Sequence, residues 1–131
     1  MTPQSPLPRK HRSEADSNLA LARQLVDQAP GWSLVIAFYA ALHYLGEYAA
    51  YRNDRVEDHS DRAAWITTCP ELRPIAADYD LLRNDSSTVR YECPPKSNRV
   101  LQASHVRGTV IPLVVSMRDH VDKLKQAHGW F

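Results

Sequence analysis

Apolar residues along this chain fall into a succession of helical stripes. Leu19, Ala22, Leu25 and Val26 recur at the three-and-four spacing of one helix face. Ser13 is placed to cap that helix, with Asp16 at the third position of a capping-box variant, and Pro30-Gly31 stands at its predicted end. From Trp32 to Tyr51 the residues are apolar nearly all round, which predicts a helix at the centre of a bundle rather than on its surface. Asn53-Asp54 and the charged residues up to Glu57 read as a loop, and Asp58 or Ser60 caps a short helix from Asp61 to Thr67. Pro70 suits the first turn of a fourth helix carrying Leu72, Ile75, Ala76, Tyr79 and Leu82. Asn84 to Ser87 weakens that helix and Pro94-Pro95 stops it. The last helix is expected from Ser97, its cap, to Ala127. Val100, Leu101, Val106, Val110, Leu113, Val114, Met117, Val121 and Leu124 supply its apolar face, and Gly108 and Pro112 should kink it. Alternating strand patterns and internal repeats are absent from the sequence. The pattern therefore predicts an all-α bundle of four main helices plus a short one.

Composition narrows this reading. With 131 residues and 44% hydrophobic content, the chain suits one domain, expected over residues 13–128. Residues 1–12 read as a mobile basic tail, with three prolines followed by Arg9-Lys10-His11-Arg12. The formal net charge of +1 supplies no global field for nucleic acid, so any such site must be a local patch. Cys69 and Cys93 make neither a disulfide framework nor a Cys-x-x-Cys metal site and read as free thiols in a reducing cytoplasm. No apolar stretch directly follows the basic N-terminus, so a secretory leader is not expected. Ser33, His43 and Glu47 interrupt the one segment long enough to span a bilayer, and no membrane partner is expected.

Some polar residues stand out against this background. His43 and Glu47, one turn apart on the central helix, must be satisfied internally or put to use. His59 and Arg62 share a helix face. If the bundle closes, His59, Arg62, Tyr79, Arg90 and Tyr91 line one polar pocket, where the arginines favour a phosphate and a tyrosine offers a stacking surface. The alternative is a structural cluster in which Arg62 pairs with Asp58, Asp78 or Glu92. No Glu-x-x-His pair recurs on two helices, and neither His-Glu-x-x-His, a Gly-rich phosphate loop nor a Gly-x-Ser-x-Gly elbow is present. No metal or cofactor is expected.

Taken in order, Phe38-Tyr39-Ala40-Ala41-Leu42-His43, Asp58-His59-Ser60-Asp61-Arg62, Tyr79-x-x-Leu82 and Ser87-x-x-Arg90-Tyr91 resemble the HEPN superfamily, and bacterial HEPN-like domains in particular, over about residues 14 to 125. The resemblance implies a four-to-five-helix up-and-down bundle, often a homodimer. It also implies one of two functions. The first is a non-catalytic module in a bacterial toxin–antitoxin or defence system, binding a protein partner, such as a nucleotidyltransferase-like antitoxin, or a nucleotide or RNA. The second is a metal-independent ribonuclease. The family's ribonuclease motif is an Arg followed four to six residues later by a His, near the start of the last helix. Arg99 and His105 fit that spacing and place, whereas Arg52 and His59 fit the spacing only. In that chemistry His105 would take the 2′-hydroxyl proton and Arg99 would hold the scissile phosphate. The structural alternative is two ordinary polar positions on a partly exposed helix.

Overall fold

Leu7 and Pro8 open the first helix six residues before Ser13. Leu7, His11, Ala15, Leu19, Ala22 and Val26 form one continuous stripe, and Pro8 is tolerated in a first turn that needs no N–H there. Arg9 to Arg12 are therefore helical, not tail. The computed structural model describes residues 7–95 and 98–130, so the rest of the expected tail and the Ser97 cap lie outside the described residues. Helix α1 spans Leu7–Leu25, α2 Pro30–Arg52, α3 His59–Thr68 and α4 Arg73–Tyr91. A short turn, α5 (Ala103–His105), continues through a π-helical stretch (Val106–Val110) into α6 (Ile111–His128). Among the described residues there is no strand, and no helix is long and apolar enough to cross a membrane. The molecule is an all-α bundle.

Helix α2 is central. It packs against α1, α4 and α6, and it buries residues on every side, including Leu34, Phe38, Ala41, Tyr44, Leu45 and Tyr48. Pro30 opens α2 at its first turn instead of closing α1, since its fixed φ suits a helix start. Asn53, at φ 58°, ends it in the left-handed region, which asparagine tolerates. Asp58 caps α3 by accepting from the Asp61 amide at 2.7 Å. Pro70–Leu72 form a 3-10 turn leading into α4. Trp32 is 64% exposed at the α2 start, whereas Trp65 and Trp130 are partly buried.

The last segment departs furthest from expectation. Asn98–Leu101 is a 3-10 turn, Gln102 is extended, and the long helix begins only at Ala103. The 3-10 turn is held by buried Val100 and by Leu101, which lies so close to Gly31 that a Cβ there would be 3.1 Å from the Leu101 Cδ2. The expected kink takes the form of the π-helical stretch before Pro112. Proline offers no N–H to the preceding turn and its ring crowds the carbonyl four residues back, and one wider turn relieves both.

Candidate functional site

Two clusters gather most of the polar residues singled out by the sequence, one on either edge of the buried face of α4. The first is built on Asp85. Leu72, Ile75, Tyr79, Leu82 and Ser86 form the buried stripe, and Asp85 borders it, 3% exposed. Arg99, on the 3-10 turn, donates from Nη2 to Asp85 Oδ1 at 3.0 Å. His105, on α5, donates from Nε2 to Asp85 Oδ2 at 2.7 Å. The Arg-x5-His pair thus converges on one carboxylate. The Asp85 side chain is 4% exposed and that of His105 13%, while that of Arg99 is 57% exposed. A buried carboxylate requires compensation of this kind, so Asp85 holds both side chains in place.

The second cluster surrounds Phe38, which is fully buried on α2. The His59 ring lies nearly parallel to it, at 6.2 Å between centroids and 19° between planes. Arg90, the penultimate residue of α4, places its guanidinium 5.9 Å from both the Phe38 and Tyr39 rings and 4.9 Å from Tyr91. These are cation–π distances. From α3, Arg62 donates to His59 Nδ1 at 3.2 Å, so that nitrogen is the bare one. The His59 imidazole is held below its ordinary 6.5, first by burial and then by Arg62, Arg83 and Arg90. None of these three arginines forms an ion pair with a described residue. Of the three acids expected to make Arg62 structural, Asp58, Asp78 and Glu92, the first two form no ion pair with it. Tyr91 and Tyr39 stay open to solvent, at 75% and 39%.

Tyr79 does not line this pocket. It is buried at 1% beneath Phe38, with the ring centroids 6.2 Å apart, and neither its hydroxyl nor that of buried Ser86 has a hydrogen-bond partner among the described residues. The interior pair separates. Glu47, 1% exposed, accepts from Lys125 at 2.9 Å and Arg12 at 3.3 Å, whereas His43 turns to His11, with their Nδ1 atoms 3.0 Å apart. Among the described residues no three His, Cys, Asp or Glu side chains are grouped as metal ligands.

Sequence reading missed Asp85, Arg83, Tyr39 and His11. The signal for His11 was its place on the Leu7–Val26 stripe. For Asp85 it was its position at the margin of the α4 stripe, where an acid needs a partner. Compared with protein-family models, curated proteins and solved structures, the chain matches none.

Proposed function

We propose that this chain is a binding module of HEPN-like type that holds a phosphate-bearing nucleotide or RNA strand on the face formed by His59, Arg62, Arg83 and Arg90, flanked by Tyr39 and Tyr91. One observation carries the reading. Three arginines act on one histidine, against Asp58 alone, and none of the three is ion-paired with a described residue, and two exposed tyrosines stand beside them as stacking surfaces. Arg99 and His105, by contrast, are both occupied by Asp85. The role implied by the resemblance is an interaction module of a bacterial toxin–antitoxin or defence system.

The test is anisotropy of a labelled single-stranded oligoribonucleotide. If three phosphates are neutralised, raising salt fourfold should weaken binding about 20-fold, and Arg90→Ala should reduce that factor to about 7-fold. Absence of binding, or an Arg90→Ala protein with an unchanged salt slope, would overturn the reading.

A second reading, metal-independent RNA cleavage, has the convergence of Arg99 and His105 in its favour. With Nε2–H bound to Asp85, the remaining ring nitrogen of His105 is the base that chemistry would need. Cleavage of RNA in EDTA by wild-type protein, lost in His105→Ala and retained in Arg90→Ala, would establish it.

A further inference from the structure

A cavity of about 270 Å³ lies between the first turns of α1, the C-terminal half of α2, the loop at 53–57 and α3. Its lining divides by chemistry. Leu7, Leu42, Leu45, Ala49, Val56 and Trp65 form an apolar wall, and His11, His43 and Arg62 form a polar end. Loop residues Asp54, Arg55 and Glu57 complete it, with Asp54 already bonded to Trp65 Nε1 at 2.8 Å and to Arg52. The polar end has room made for it. Gly46 carries no side chain where a Cβ would stand 2.8 Å from His11 Nδ1.

The two imidazoles meet Nδ1 to Nδ1 at 3.0 Å, so one donates and the other accepts. Beside them, Arg62 is not ion-paired with any described residue and donates to His59 Nδ1. The polar end therefore presents a donor–acceptor pair and a cation that no described carboxylate pairs with, Asp54 being bonded to Trp65 and Arg52 and Glu14 acting on His43 alone. At this size, near the lower end of ligand pockets of about 300 Å³ and up, there is room for one compact group rather than an extended molecule. We infer that the cavity binds a small organic anion, its carboxylate or phosphate group held by His11, His43 and Arg62 and one ring-sized apolar body lying against Trp65 and the leucines. The inference shares Arg62 with the nucleotide reading but uses neither Arg83, Arg90 nor Tyr91, so Arg90→Ala tells the two sites apart.

Proton linkage gives it a signature. Burial, then His43 and Arg62, hold His11 below 6.5, and burial and Arg62 hold His43 below it against the opposing pull of Glu14. A bound anion offsets Arg62. The pair then accepts one proton without losing its bond, because a charged ring still donates to the other's bare Nδ1, whereas a second proton would set two N–H groups head to head. Affinity should rise as pH falls, by at most about tenfold per pH unit.

Calorimetric titration of the full chain with benzoate and with phenyl phosphate, from about pH 7.5 to about pH 6, tests this. One site is expected, tighter at the lower pH, with the ring resonances of His11 and His43 moving on binding. The better probe identifies the anionic group. Gly46→Ala, which favours the helix but displaces His11, and His43→Gln should each weaken binding about tenfold or more, while Arg90→Ala leaves it unchanged. Affinity for both probes weaker than about 10 mM, unaltered binding in Gly46→Ala and His43→Gln, or loss of binding in Arg90→Ala would overturn the inference.

Discussion

Lys125→Met should be among the most damaging single changes outside the apolar core. Glu47 lies on the central helix with its side chain 2% exposed, and Lys125, itself 14% exposed, is the nearer of its two cations at 2.9 Å. The other, Arg12, is 3.3 Å away and lies closer to Asp122, at 2.6 Å. Methionine preserves the stem of the lysine and its packing but removes the charge, leaving a buried carboxylate with only a shared, longer partner. Breaking a buried pair from one side costs about 3 kcal/mol or somewhat more. For a chain of this size that corresponds to a drop in Tm of about 10 °C. Urea denaturation followed by circular dichroism should show a lower midpoint at unchanged slope. Pairing Lys125→Met with Glu47→Gln should recover part of the loss, because the uncompensated charge is then gone. Lys123→Met, at an exposed position on the same helix, serves as the control and should change stability by less than about 0.5 kcal/mol. A Lys125→Met protein as stable as that control would show that Glu47 does not depend on Lys125 and would refute the reasoning.

Three further outcomes follow from the same geometry. Ser33 is fully buried and donates from its hydroxyl to the Ala22 carbonyl at 2.6 Å, tying α2 to α1, so Ser33→Ala should cost about 1 kcal/mol in chemical denaturation. Folded His11, His43 and His59 all protonate below the ordinary 6.5, so between those lowered values and 6.5 the unfolded chain binds more protons. Stability should therefore be full above about pH 6.5 and decline as pH falls through that window, and His43→Gln should flatten the decline measured by melting across pH. Burial, with a smaller push from Glu71, raises the Cys69 thiol to about 11, while Cys93 is exposed. A thiol reagent at neutral pH should therefore modify one cysteine in the native protein and two in denaturant.

Helix periodicity made most of the fold legible. The all-round apolar run that becomes α2 could only be buried on every side, and the loop at 53–57 and the Asp58 cap lie where the residue types put them. Errors arose where a long-range partner outweighed local signals. Arg9-Lys10-His11-Arg12 looks like a solvated charge run, yet His11 rests on Gly46 and Arg12 reaches Glu47 and Asp122, 35 and 110 residues away in the chain. Asn84 to Ser87 looks like a weak helix end, yet Asp85 and Ser86 are buried there and α4 continues to Tyr91. Pro30 was misassigned for a different reason. A proline between two helices is equally consistent with ending one and beginning the next, and only the resulting geometry decides.

The two candidate clusters show how far residue type alone reaches. Both contain arginine and histidine at plausible spacing, and neither composition nor position in the chain separates a binding group from a structural one. Partnership does. Arg99 and His105 answer a carboxylate that a sequence reading places in a loosening helix, so what looked like the reactive pair is the compensated one. Arg62, whose expected partners are nearby acids, instead donates to His59, and Arg90 lies over the rings of Phe38, Tyr39 and Tyr91. A guanidinium stacked on rings keeps its charge available while its position is fixed, and that is what an anion site requires before its ligand arrives. Tyr79 shows the limit of the same logic: expected in the pocket with Arg90 if the bundle closes, it belongs to the buried face of α4, 1% exposed, with Phe38 packed over it.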